Sequence, residues 1–172
     1  MIFNSKKTNQ LSQKDLSKIF KLKEERWKFG ISSQKKFFKK NIKKFDIHNF
    51  IYKSQKKNEL IGYTCFRLRN IFLSEKKFNY LLLDTIIISK KYRKKNYGKK
   101  LMKLNNKMIK KNKIPSFLFC NSKNAKFFKL FKWKFLPHRT YKVLKKNVKK
   151  QFCMSYNNKF RIKSNQILLL TI

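Results

Sequence analysis

The chain has 172 residues, 41% of them hydrophobic and 16% aromatic, which suits one domain with a real core and excludes a disordered basic tail. Lys and Arg total 47 against 7 Asp and Glu, a net charge of +40, so the partners to expect are anionic: phosphate ligands, nucleic acid or an acidic membrane surface. No stretch approaches ~18 uninterrupted apolar residues, so no membrane-spanning helix is expected.

Ser12 and Asp15 form a Ser-x-x-Asp capping box, and the first helix starts there. Leu16, Ile19, Phe20 and Trp27 line one face, Lys23 interrupts that stripe, and Gly30 stops the helix. A second helix from Ser32 or Ser33 carries Phe37, Phe38 and Ile42. The period then changes. Asn49 to Lys53 and Leu60 to Leu68 read as strands joined by the polar turn Ser54 to Glu59. Asn79 to Ser89 is a nearly continuous apolar run, the mark of a central buried strand. A third helix follows Gly98, burying Leu101, Met102, Leu104, Met108 and Ile109, and Pro115 ends the connection after it. Ser116 to Cys120 is a short strand, Asn124 to Lys132 a short helix, Trp133 to Leu136 the start of a strand, and Ile167 to Ile172 a closing strand. Hairpins mixed with βαβ crossovers give an α/β or α+β fold with a mixed sheet. With 3 Gly, 2 Pro, no repeat and no linker, one continuous domain over residues 1–172 is expected.

Cys65, Cys120 and Cys153 lie in apolar segments without metal-ligand spacing. Their odd number and the absence of an apolar N-terminal segment predict buried thiols in a cytoplasmic protein. No metal site is expected. His48 and His138 have no partner at metal or triad spacing and read as structural or surface residues.

The chemistry is concentrated in Ile86-Ile87-Ile88-Ser89-Lys90-Lys91-Tyr92-Arg93-Lys94-Lys95-Asn96-Tyr97-Gly98-Lys99-Lys100-Leu101-Met102. A buried strand ends, a basic loop turns, and a helix begins. Helix N-termini bind anions through free N–H groups and the helix dipole. Gly98 and Asn96 are placed at two positions of positive φ, which glycine and then asparagine tolerate best. Arg93, Lys94, Lys95, Lys99 and Lys100 add charge, so a pyrophosphate fits.

These residues resemble motif A of the GNAT superfamily of N-acetyltransferases. The family pattern is Arg/Gln-x-x-Gly-x-Gly/Ala after a strand. Here Tyr92, Arg93, Gly98 and Leu101 match, and Asn96 replaces the first glycine. Downstream, Leu118-Phe119-Cys120, Asn124 and Phe127 to Trp133 resemble the family's next strand and its Phe-Tyr-x-x-x-Gly-Phe/Trp stretch. Lys132 stands for the usual glycine and Phe128 for the tyrosine. The resemblance spans about residues 12 to 136. It implies a mixed central sheet with splayed strands flanked by helices, and acetyl-CoA as acyl donor. The backbone of Ile86 and Ile88 would hold the pantetheine, and Arg93, Lys94, Lys95, Asn96, Tyr97, Gly98 and Lys99 the pyrophosphate. Asn121, Asn124 and Phe128 would lie near the other arm. The implied reaction is direct attack of a neutral amine on the thioester. Asp84 is the candidate base, just before the cofactor segment. The family tyrosine often acts as general acid, a role Phe128 cannot fill. Residues 24–50 and 137–166 would form the acceptor pocket. An amino sugar or nucleotide-linked amino sugar is the first expectation and a protein amine the next, for a monomer or homodimer. Two other readings stay open. One is a basic nucleic-acid- or ribosome-associated binding protein, with non-specific nucleic-acid binding through the lysines. The other is a GNAT-like domain that binds CoA without catalysis.

Overall fold

The computed structural model describes residues 1–53, 59–144, 151–160, 162–163 and 166–172. Its strands are β1 (Ile2–Lys7), β2 (Ile47–Tyr52), β3 (Leu60–Leu73), β4 (Lys76–Ile88), β5 (Ser116–Cys120), β6 (Lys134–Phe135), β7 (Tyr141–Leu144), β8 (Phe152–Tyr156) and β9 (Leu168–Thr171). Its helices are α1 (Gln13–Glu24), α2 (Ile31–Asn41), α3 (Tyr97–Asn112) and α4 (Ser122–Lys129). This is the mixed α/β architecture expected, with parallel and antiparallel pairs in one central sheet flanked by helices. The chain divides into two compact units, Met1–Arg67 with Thr85–Asn105 and Leu68–Asp84 with Asn106–Ile172.

In the first unit β1 pairs antiparallel with β2, and β2 with β3. β1 was not legible in the sequence, because five of its six side chains are polar or exposed and only pairing with β2 makes it a strand. Its lysines suit an edge, where charge discourages further pairing. The capping box at Ser12 is present: the Asp15 N–H donates to Ser12 Oγ at 3.1 Å, and the Ser12 N–H donates back to Asp15 Oδ2 at 3.0 Å. Ile19, Phe20 and Leu22 of α1 pack on Phe50, Tyr52 and Tyr63 of the strands, and Phe38 of α2 meets Phe20 edge-on at 5.6 Å. Burying each such side chain contributes about 1.5–3 kcal/mol. Lys23 does not break the buried face as expected: it is itself buried, its ammonium 4.7 Å from the Phe37 ring centre. Gly30 also differs. α1 ends at Glu24, and Gly30, at φ 82, is instead the residue that opens α2. The turn expected at Ser54 to Glu59 lies outside the described residues except for Glu59.

His48 is fully buried in this unit, between Phe38 and Tyr63 rings at 5.8 and 5.9 Å. Its Nδ1 shares a 2.7 Å hydrogen bond with the Tyr63 hydroxyl and its Nε2 a 2.9 Å bond with that of Thr8. Burial disfavours the imidazolium and lowers its pKa from 6.5 to about 4. The unfolded chain therefore takes up this proton first as pH falls. Stability is complete above pH 6.5 and declines from there towards pH 4, by about 3 kcal/mol at the ~1.4 kcal/mol per unit that links the two. Urea midpoints of wild type and His48→Gln measured across this window should converge as pH falls.

In the second unit β4 runs parallel to β5, β5 pairs antiparallel with β8, and β8 with β6. β9 pairs with the end of β3 and, in parallel, with β7. β7 and β8 were also missed. They are short and flanked by lysines, so no period shows. Trp133, 2% exposed, stacks on Tyr156 at 5.6 Å and donates from Nε1 to Asn106 Oδ1 at 3.1 Å. Lys132 just before it has φ 64, the left-handed backbone that glycine adopts freely. That explains why the family places glycine here, and the lysine costs about 1–2 kcal/mol. The three cysteines are free and buried, as expected. Among the described residues no helix is long and apolar enough to cross a membrane, and no group of His, Cys, Asp and Glu is placed to hold a metal.

Candidate active site

β4 ends at Ile88, a short turn Lys90–Tyr92 follows, and α3 begins at Tyr97. The strand end is pinned where the Ser89 N–H donates to Ile61 O at 2.8 Å. The Arg93 Nε–H then folds back onto Ile88 O at 3.1 Å. Asn96 has φ 60, as expected of a residue standing in for glycine. Gly98 does not have the expected positive φ. It lies in the first turn of α3, and the second left-handed residue is Lys94, at φ 61. The turn needs two reversals before the helix, so they fall at 94 and 96 rather than at 96 and 98. Asn96 O accepts the Lys100 N–H at 3.1 Å, which fixes the helix start. The N–H groups of Tyr97, Gly98 and Lys99 thus have no acceptor within the helix. Arg93, Lys94, Lys95, Lys99 and Lys100 are all exposed around them. A loop of this kind suits a pyrophosphate.

Leu101 and Met102, both fully buried, hold α3 down, and Leu101 packs with Ile61, Ile51 and Tyr92. Ile86 and Ile88, both half-buried, pack on the same cluster. Gly62 on β3 gives β4 its room: a Cβ there would meet Ile88 Cδ1 at 2.5 Å and Ile87 O at 3.3 Å. Asn105, in the same helix, was not singled out in the sequence. It accepts from Asn49 Nδ2 at 2.8 Å and donates to Thr64 Oγ1 at 3.1 Å, all three fully buried.

Two acids brace the loop, and sequence reasoning missed both. Glu25 accepts from the Lys90 N–H at 2.7 Å and from Ser89 Oγ at 3.2 Å. Glu59 accepts from the Tyr92 hydroxyl at 2.8 Å and pairs with Lys91. The Lys91 ammonium and the Tyr92 hydroxyl hold the Glu59 carboxyl below its ordinary value. The signal was present. In a chain with 7 acids and 47 bases, each acid is worth weighing.

In the second unit Asp84 lies half-buried in β4. Asn121 follows β5 and caps α4, its Oδ1 accepting from the Asn124 N–H at 3.0 Å. Both asparagine side chains are exposed. Phe128 is 6% exposed, edge-on to Phe127 at 5.4 Å and 6.2 Å from Trp133, so its ring belongs to the core. Burial raises the Cys120 and Cys153 thiols above their ordinary value, which keeps them protonated and inert. His138 is not alone as its spacing suggested: its Nδ1 shares a 3.0 Å hydrogen bond with the Tyr141 hydroxyl.

The family profile described as Acetyltransferase (GNAT) family matches residues 16–133, which include the loop, both bracing acids, β5 and α4. The chain belongs to the GNAT family of acetyltransferases. Membership makes it an acyl-CoA-dependent acetyltransferase with acetyl-CoA as donor. Solved GNAT-fold structures agree in architecture. Escherichia coli YhbS, in complex with CoA, is 9% identical with a TM-score of 0.66, covering 99% of this chain and 88% of its own. Escherichia coli ElaA is 16% identical with a TM-score of 0.64, covering 90% of this chain and 99% of its own. An aminoglycoside 6'-N-acetyltransferase complexed with coenzyme A is 11% identical with a TM-score of 0.59, covering 91% and 96%. No curated protein matches the sequence.

Proposed function

We propose that this GNAT enzyme acetylates the primary amine of a nucleotide-linked amino sugar by direct attack on acetyl-CoA, working as one domain over residues 1–172. The observation that carries the reading is the basic loop from Arg93 to Lys99, with its left-handed residues at 94 and 96, ahead of the open N-terminus of α3. Arg93, Lys94, Lys95, Asn96, Tyr97, Gly98 and Lys99 hold the pyrophosphate, and the backbone of Ile86 and Ile88 the pantetheine. Asn121 and Asn124 act on the other arm through their exposed amides. Phe128 contributes apolar support and no proton. Asp84 takes the amine proton, directly or through a water. Bound acetyl-CoA supplies the activated acyl group. The thiolate leaves to solvent, and positioning supplies much of the rate.

The charge supports the choice of acceptor. A chain at +40 repels a polycationic aminoglycoside and attracts an acceptor that carries phosphates. A protein amine is the second reading, favoured by the exposed Phe29 and Ile31 at the α1–α2 connection, which suit a peptide side chain. The reduced, buried cysteines fit a cytoplasmic setting. Free-thiol release is the test, with acetyl-CoA and three acceptors: a nucleotide-linked amino sugar, an aminoglycoside and an N-terminally free peptide. The nucleotide-linked sugar should turn over fastest, with a KM that rises with salt. Preference for the aminoglycoside would overturn the charge argument.

A further inference from the structure

The second unit holds a cavity of about 430 Å³ that the acetyltransferase reading does not use. Its walls are Phe78 and Asn79 at the start of β4, Lys113 to Pro115 between α3 and β5, and Asn157, Lys159 and Phe160 after β8. The walls are built. Phe78 and Phe160 meet edge-on at 5.1 Å. The Asn157 Nδ2–H donates to Ile114 O at 3.3 Å, and the Phe160 N–H to Asn158 Oδ1 at 3.0 Å. Lys113 and Asn157 both take left-handed backbone, φ 55, which turns the chain sharply on either side.

The chemistry is a mixture of three kinds. Phe78, 38% exposed, offers an aromatic ring, and Ile114 and Pro115 add apolar surface. Asn79 and Asn157 supply amide groups. Lys113 and Lys159 are exposed at the cavity, and Lys107, Lys110 and Lys111 continue the charge along the exposed side of the last turns of α3. The cavity lining carries no Asp or Glu, and neither does any position after Asp84. A ligand suited to this has a flat apolar face, a hydrogen-bonding edge and several negative charges. That is a nucleobase on a phosphate chain. At about 430 Å³ the cavity is at the small end of ligand sites, with room for one base. A bilayer is the poorer fit, because the exposed positions of α3 from 107 to 112 are polar and offer nothing to insert. A duplex is poorer too, since its bases are stacked and unavailable.

We propose that this cavity binds an unpaired base of a single-stranded nucleic acid, stacked on Phe78, with the neighbouring phosphates on Lys110, Lys111 and Lys113. The site is independent of acetyl transfer and stands or falls separately from it. Fluorescence anisotropy of a labelled ten-nucleotide single strand and its duplex, from 100 to 300 mM salt, tests it. The single strand should bind about tenfold tighter than the duplex. Phe78→Ala should weaken the single strand by about tenfold or more, since stacking on one aromatic is worth roughly that, and leave the duplex unchanged. Lys110→Gln with Lys111→Gln should lower the salt slope by about 1.4, at roughly 0.7 per phosphate contact. Phe78→Tyr should bind like wild type, and the tryptophan of Phe78→Trp should be quenched by the strand. These two variants decide the matter if Phe78→Ala fails to fold. Equal binding of strand and duplex, unaffected at Phe78, would reduce the effect to general lysine attraction and overturn the site. AMP binding as tightly as the strand would make it a free-nucleotide site and overturn a strand as the occupant.

Discussion

Gly98→Asp is expected to weaken acetyl-CoA binding by about a hundredfold without harming the fold. Gly98 lies in the first turn of α3 with helical backbone, so a side chain meets no dihedral penalty there. An Asp at that point gains from the helix dipole and from better helix propensity than glycine. The melting temperature should therefore hold or rise. The same carboxylate faces the place proposed for the pyrophosphate, and like charges brought together cost several kcal/mol; about 3 kcal/mol is a hundredfold in affinity. Gly98→Ala is the steric control and should stay within about threefold of wild type. If the Asp variant binds acetyl-CoA as tightly as wild type does, the anion site is elsewhere.

Asn105→Ala is the second large effect, this time on stability. Asn105 is fully buried on the inner face of α3. Its loss leaves Asn49 Nδ2 without its 2.8 Å acceptor and Thr64 Oγ1 without its 3.1 Å donor. Asn49 Oδ1 still accepts from Ser5 Oγ at 2.7 Å, so the network is cut in its middle rather than dissolved. Two lost bonds and an orphaned buried donor cost about 2–4 kcal/mol. Urea unfolding should show a lower midpoint at an unchanged slope. Because α3 carries the loop on its first turn, KM for acetyl-CoA should also rise while kcat changes less. A midpoint within about 0.5 kcal/mol of wild type would mean water replaces the amide.

The parts of the fold with strong local signals were legible. The capping box at Ser12, the β4 run, the Ser116–Cys120 strand and the stripe of α3 stand where the sequence places them, because side-chain period and caps are local properties. β1 was not legible, since its residues become a strand only through pairing with β2, more than forty positions away. The loop was half legible. Asn96 as a substitute for glycine followed from its tolerance of left-handed backbone, but the partner position moved to Lys94, a residue type that gives no such hint. Glu25 and Glu59 escaped because their partners, Lys90 and Lys91 with Tyr92, lie 65 and about 32 positions on, and no spacing rule joins them. Phe128 shows the opposite case. Its place in the motif suggests a position near the cofactor, and what the sequence did not show is that its ring is also buried beside Trp133.

Calorimetric titration of acetyl-CoA into the wild-type protein at ~150 mM salt, repeated with single-stranded RNA present, tests the central claim most directly; that ionic strength damps general attraction to the lysines. The account predicts roughly micromolar binding at one site per chain that survives the RNA. Absence of binding, or binding that RNA displaces fully, would contradict the assignment of the loop from Arg93 to Lys99 to the acyl donor.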